Sequence, residues 1–158
     1  MLNDIVRLVL ARVRTHLAWT EICMHRVVQL IFLVDDAFVQ LGMDVDLGIR
    51  WQFDGLGVRS EWLEEEIRRD PTLGRYWNRD YYDHPVEIIK IPPTPLADGS
   101  NMDLANAISV AIEPAIDASF ETLISEVMKT YSMLEARRLG RTNVTIRELL
   151  KEQVRAAV

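Results

Sequence analysis

The chain has 158 residues, 49% hydrophobic and 27% charged, with a formal net charge of −6 at pH 7. This length suits one globular domain that needs no disulfide or metal to hold its core. The acidic balance argues against nucleic-acid binding driven by overall charge. The single cysteine, Cys23, excludes an internal disulfide, and the residues around Asp4 do not follow a signal-peptide layout, so we expect a cytoplasmic protein.

The stretch from Thr20 to Gly42 predicts one long helix around which the rest of the chain packs. Apolar residues recur in it at three- and four-residue spacing, and its middle is apolar nearly all round, which is typical of a helix enclosed on several sides. The uncharged run from Val27 to Val34 is too short to span a membrane. Thr20 is the predicted N-cap, and Gly42 is the predicted left-handed residue after the helix.

Shorter elements are predicted on both sides of this helix. Residues 4–16 form a first amphipathic helix, and residues 49–53 alternate apolar and polar side chains as a half-buried strand does. Ser60 is placed to cap a short helix, which ends before Pro71 because the residue preceding a proline disfavours helical geometry.

A hairpin or wing is predicted from two strand-like runs at 74–82 and 86–91, separated by Asp83-His84-Pro85. Tyrosine and tryptophan provide a large contact area at a small entropy cost, and they are common anchors of protein interfaces. We therefore expect the four aromatic residues of this segment to bind a partner: Tyr76, Trp77, Tyr81 and Tyr82.

The last third of the chain predicts helices. A capping box at 100–103 opens the first, Pro114 ends or kinks it, and an apolar stripe continues from Ile116 to Tyr131. A shorter helix ends at Gly140, and a second capping box at 145–148 starts a terminal helix. The predicted fold is mainly α (α+β): a single domain over 1–158, with helices and a small antiparallel sheet or wing in 1–100 and a helical lobe in 101–158.

Basic residues concentrate near the C-terminal end: Arg137, Arg138, Arg141, Arg147, Lys151 and Arg155. Arg147, Lys151 and Arg155 are four residues apart and share one helix face. Such a face could contact nucleic-acid phosphate or an acidic partner. It could equally be a solvated face with ion pairs along the helix, which is the common case for charged stripes.

The sequence carries no complete catalytic, metal-binding or cofactor-binding motif. Cys23 and His25 lie two residues apart, so on a helix they point in different directions and cannot share a metal. The segment Asp44-Val45-Asp46 begins like a calcium loop, but the following positions do not continue the pattern. Nothing places a nucleophile beside the acidic residues and His84 of the hairpin segment. We expect no enzyme and no cofactor.

Two segments, taken together, resemble a known pattern. Residues 26–33, RVVQLIFL, are similar to a K-L-Q-K-L-I-F-L helix, and residues 51–63 resemble a strand followed by a Y-G-P-Y-S-x-x-L turn into a helix. These two patterns are typical of Panacea-type (SocA-like) antitoxin domains and their uncharacterised prokaryotic relatives. Gly57 and Ser60 stand at the positions of the family's glycine and helix-capping serine, and Val58 replaces its proline.

The resemblance covers roughly residues 1–70 and implies a mainly helical fold with a small sheet or wing. It also implies protein binding, in which the chain neutralises a partner toxin or presents a substrate to a protease as an adaptor. We therefore expect a non-enzymatic protein-interaction module, antitoxin-like or adaptor-like. A winged-helix DNA-binding transcription regulator is the alternative, because some relatives look like such regulators, and a homodimeric helical scaffold is a third hypothesis.

Overall fold

The computed structural model describes residues 2–54, 57–93 and 102–150. Up to residue 69 the chain forms α1 (Leu2–Leu17), β1 (Glu21–Cys23), α2 (Met24–Gln40), β2 (Gln52–Asp54), β3 (Gly57–Arg59) and α3 (Glu61–Arg69). From residue 74 onward it forms β4 (Gly74–Arg79), β5 (Pro85–Lys90), α4 (Met102–Ile112), α5 (Phe120–Met128) and α6 (Tyr131–Leu139). Residues 146–150 are also helical. The mainly α (α+β) fold class predicted from the sequence is confirmed.

Helix α2 forms the centre of the molecule. It contacts α1, α4, α5, β3 and β5, so neighbours enclose it on several sides. Leu30, Ile31 and Phe38 have no exposed surface. Each such side chain stabilises the fold by about 1.5–3 kcal/mol relative to leaving it in water, so the predicted central role of this helix is confirmed.

The predicted start of this helix was wrong. Thr20 is not its N-cap: residues Glu21–Cys23 are extended and pair antiparallel with β5, with Ile22 opposite Ile89. The carbonyl of Thr20 accepts a hydrogen bond from the backbone N–H of Ile91 at 2.8 Å. The helix begins at Met24, because these preceding residues satisfy their backbone groups in the sheet.

The predicted end of α2 is confirmed. Gly42 has φ +66° and follows the C-cap Leu41. Its N–H donates to the carbonyl of Val39 at 3.1 Å, and the N–H of Met43 donates to Phe38 at 2.9 Å. This pair of bonds is a Schellman motif, which satisfies carbonyls that the helix end leaves without an intrahelical donor.

Two small antiparallel sheets accompany the helices. One has the strand order β1-β5-β4 and the other pairs β2 with β3. The predicted hairpin is confirmed as β4 and β5, although β4 ends at Arg79 rather than at residue 82. The segment before β2 is joined to the C-terminal part of the chain, because Trp51 exchanges backbone hydrogen bonds of 3.0 and 3.2 Å with Val144.

Local caps divide the C-terminal helices. Helix α4 ends at Ile112, before Pro114 as predicted. The stripe from Ile116 to Tyr131 is not one helix, because Ser119 caps α5 and Thr130 caps α6 through side-chain oxygens that accept backbone N–H bonds.

The predicted capping box at 145–148 is confirmed. The Thr145 Oγ1 accepts from the N–H of Glu148, and the Glu148 Oε2 accepts from the N–H of Thr145, both at 3.1 Å. The capping box predicted at 100–103 stays a prediction, because Ser100 and Asn101 lie outside the described residues.

Asp35 is a buried carboxyl on α2. Its Oδ2 accepts a hydrogen bond from Trp51 Nε1 at 2.8 Å, and only 5% of the residue is exposed. Burial raises the pKa of Asp35 from 3.8 to about 6, and the bond from Trp51 opposes part of that rise. The stabilising contribution of the protonated carboxyl is therefore fully present below pH 3.8 and is lost as the pH rises through about 6.

Replacing Asp35 with asparagine should make the free energy of unfolding less sensitive to pH. As the pH rises from about 4 to about 7, the wild type should lose about 2 to 3 kcal/mol of stability relative to the variant. A pKa shift of two units corresponds to a free-energy difference of this size. Urea unfolding measures this shift, and the exposed Asp44→Asn is the matched control. A stability difference between variant and wild type that does not change with pH would contradict the prediction.

Candidate functional site

The hairpin of β4 and β5 presents different side chains on its two faces. Tyr76 lies opposite Ile88 and Trp77 lies opposite Glu87, so the two aromatic residues point to opposite sides of the sheet. The Tyr76 hydroxyl donates to Glu21 Oε2 at 2.6 Å. This bond raises the pKa of Tyr76, and it ties the ring to β1, away from the other three aromatic residues of the segment.

The turn of the hairpin is organised by Asp80. Its Oδ1 accepts hydrogen bonds from the backbone N–H groups of Tyr82 and His84, each at 2.9 Å, and its own N–H donates to the carbonyl of His84 at 2.9 Å. The bond from His84, followed by that from Tyr82, keeps the pKa of Asp80 below its ordinary value. Asp83 has φ +63°, a left-handed geometry that aspartate tolerates better than most residues. The tip is therefore fixed by its own hydrogen bonds.

Three aromatic side chains are exposed on this fixed tip and the adjoining strand. Tyr81 is 95% exposed, Tyr82 75% and Trp77 65%. The rings of Tyr81 and Tyr82 meet edge to face, with centroids 5.4 Å apart. We call Trp77, Tyr81 and Tyr82 the aromatic tip. Adjacent exposed aromatics are typical of a surface that another molecule covers.

A cleft of about 800 Å³ lies on the Trp77 side of the hairpin. Its walls come from the hairpin, the start of α2, β3, α3 and the start of α5. Its apolar lining consists of Met24, Val28, Val58, Phe120, Ile124 and Trp77, together with Pro85 and Val86. The volume falls in the usual range for ligand sites in proteins, about 300–1,000 Å³.

Among the described residues, an ion pair at this cleft joins α3 to the middle of the hairpin, where Glu87 lies opposite Trp77. Arg68 donates through Nη2 to Glu87 Oε1 at 2.9 Å and through Nε to both carboxylate oxygens, and the Glu87 side chain is only 6% exposed. The pKa of Arg68 is raised chiefly by the bond to Glu87. The carboxylate of Glu87 is largely shielded from water, and the pair holds β5 against α3 at the wall of the cleft.

The structure separates the four aromatic residues predicted to bind a partner. It exposes Trp77 on β4 and Tyr81 and Tyr82 at the turn, and it places Tyr76 on the opposite face of the sheet from Trp77. The apolar floor of the cleft was not predicted, because its residues come from elements that are distant along the chain. The alternating pattern of β4 was the available signal that Trp77 and Tyr76 diverge.

The predicted basic stretch is not one continuous solvated face. Arg147 donates through Nη2 to the carbonyls of Met43 and Val45 at 3.1 and 2.8 Å, which anchors the helical residues 146–150 to the loop after α2. Arg138 pairs with Glu135 at 2.9 Å. Arg138 is nevertheless exposed, as are Arg137 and Arg141, and Lys151 and Arg155 lie outside the described residues.

Among the described residues, no group of three or more His, Cys, Asp or Glu side chains is placed to hold a metal ion. In the same part of the chain, no helix has the length and apolar character to cross a membrane. No family model, curated protein or solved structure matches the chain.

Proposed function

We propose that this protein is a non-enzymatic interaction module, antitoxin-like or proteolytic-adaptor-like, that binds a protein partner through the aromatic tip. The observation that carries the proposal is the exposure of Tyr81 and Tyr82, 95% and 75%, on a turn held by its own hydrogen bonds. A cytoplasmic partner, either a toxin or a protease substrate, fits this role.

Preorganisation is the physical reason the tip suits binding. A loop that is already ordered loses little conformational entropy when a partner docks, so more of the contact energy becomes affinity. Asp80 provides that order through two accepted backbone bonds and one donated bond. When a partner binds, the exposed rings bury a large surface area and few rotatable bonds are fixed. Aromatic hot spots of protein interfaces gain their binding energy in this way.

The resemblance to Panacea-type antitoxin domains supports the same proposal at two positions. Ser60 caps α3, with its Oγ accepting from the N–H of Leu63 at 3.3 Å, as expected for the family's capping serine. Gly57 has φ +109°, and a Cβ atom there would lie 2.5 Å from Gln29 Oε1, so this position requires glycine. The net charge of −6 suits a basic partner.

Photo-crosslinking in cells tests the proposal directly. A photoreactive phenylalanine derivative at Tyr81 should give a discrete cross-linked adduct, because the side chain would lie in the interface. The matched control places the same group at Tyr131, which is 39% exposed on α6 and far from the hairpin in sequence. Adducts of equal yield from both positions, or from neither, would contradict the proposal.

DNA binding is the second hypothesis, supported by the exposure of Arg137 and Arg141. Its support is reduced because Arg147 is bonded to backbone carbonyls of the loop after α2. Phosphate contacts are strongest at low salt, so a gel-shift assay in low-salt buffer tests it. Absence of a shift there would reject DNA binding.

A further inference from the structure

We propose that the cleft beside the hairpin receives an amphipathic helix of the partner, with an apolar face turned inward and lysine or arginine residues along its edges. This inference rests on the proposed function and deepens it, because it names the kind of segment that the partner presents. Trp77 belongs both to the aromatic tip and to the cleft wall, so one partner could contact the two surfaces together.

The lining of the cleft fits the apolar face of such a helix. Met24, Val28 and Val58 form a floor, with Phe120 and Ile124 on α5 beside them. Phe120 also packs against His25, with ring centroids 4.9 Å apart, which holds the α5 wall near the start of α2. The available volume of about 800 Å³ accommodates several large apolar side chains.

The charges around the cleft favour a basic segment. Among the described residues that line it, carboxylates outnumber guanidinium groups four to two: Glu64, Asp80, Glu87 and Glu121 against Arg59 and Arg68. Arg68 is already bonded to Glu87, and Arg59 lies 3.8 Å from Glu64. The two guanidinium groups are therefore matched by carboxylates. Glu121 on α5 adds negative charge, and so does Asp80 at the turn, whose Oδ2 lies 3.5 Å from Nδ1 of the cleft residue His84.

An open cleft next to exposed aromatics suits a protein segment better than an isolated small molecule. Small ligands are usually buried over most of their surface, whereas this cleft is continuous with the exposed ring of Trp77, of which 65% is accessible. A helix laid in the groove would cover both the floor and this ring. Its basic side chains would then face Glu121 and Asp80.

The probe for the test is a peptide of about 14 residues, roughly four helical turns, with leucine on one face and lysine on the other. A peptide of the same layout with glutamate in place of lysine is its control. The readout is the indole N–H signals of the protein in nuclear magnetic resonance spectra. Among the described residues lining the cleft, Trp77 is the only tryptophan, so its signal should move while those of Trp19, Trp51 and Trp62 stay in place.

Two substitutions on α5 locate the binding. Glu121→Lys should weaken binding of the lysine peptide about threefold, from the reversal of one exposed charge. The matched control Glu126→Lys makes the same change in net charge on another face of the same helix, and it should leave the affinity unchanged. Phe120→Ala should weaken binding about tenfold through lost apolar contact, with circular dichroism verifying its fold.

The outcomes separate this inference from the proposed function. Equal binding of the lysine and glutamate peptides, equal effects of Glu121→Lys and Glu126→Lys, or an unmoved Trp77 signal would each overturn the cleft proposal. None of these results bears on cross-linking at Tyr81, which does not line the cleft. Conversely, a Trp77 shift without any adduct at Tyr81 would support the cleft and reject partner binding at the turn.

Discussion

Replacing Arg68 with methionine is expected to lower the free energy of unfolding by about 3 kcal/mol, because it leaves the buried carboxylate of Glu87 without its partner. The Glu87 side chain is 6% exposed and receives three donor contacts from Arg68. Urea unfolding measures the loss. The hairpin should loosen from α3 as well, since this pair joins α3 to β5.

The control for this prediction is Arg69→Met, which removes an exposed pair with Glu66 on the same helix. Exposed ion pairs contribute little to stability, so the free energy of unfolding of Arg69→Met should stay within about 0.5 kcal/mol of the wild-type value. The double variant Arg68→Met/Glu87→Leu should regain most of the lost stability, because neither charge is then buried alone. A double variant no more stable than Arg68→Met would show that the pair is not the cause.

Replacing Gln29 with leucine is expected to cost about 2 to 4 kcal/mol of stability. The fully buried amide of Gln29 donates through Nε2 to the carbonyl of Val58 at 2.8 Å and accepts through Oε1 from the N–H of Val58 at 3.2 Å. Leucine has a similar size but provides neither bond, so two buried backbone groups lose a partner. Thermal and urea unfolding measure the cost.

The exposed Gln52→Leu on β2 is the matched control and should change stability by less than about 0.5 kcal/mol. The Gln29 variant should also disturb β3, because Gly57 and Val58 lie directly against this side chain. Amide hydrogen exchange at Val58 should therefore quicken in Gln29→Leu and not in the control. Wild-type stability in the Gln29 variant would contradict the assigned role.

The sequence predicted the elements that local rules determine. The apolar stripe of α2 and the left-handed Gly42 after it follow from helix periodicity and capping chemistry. The side-chain cap of Ser60 and the reciprocal bonds of Thr145 and Glu148 follow from the same rules, because each involves residues only three positions apart.

The features that the sequence did not predict depend on contacts between distant residues. Ile22 was placed in a helix because its spacing fits one, yet it pairs with Ile89 of a strand that lies far along the chain. The cleft has the same origin, because Val28, Val58 and Ile124 come together only when α2, β3 and α5 pack. The helix pattern predicts Arg147 on a charged surface. It cannot indicate the carbonyl of Val45 as a partner, because Val45 is distant along the chain.

The most direct test of partner binding through the aromatic tip uses the partner that cross-linking at Tyr81 identifies. Its affinity is measured by calorimetric titration against wild type, Trp77→Ala, Tyr81→Ala and the control Tyr131→Ala. Truncating a hot-spot aromatic typically costs 2 kcal/mol or more, so each tip variant should bind about 30-fold more weakly or worse. The control should bind as wild type does. Unchanged affinity in both tip variants would contradict the assignment of this surface.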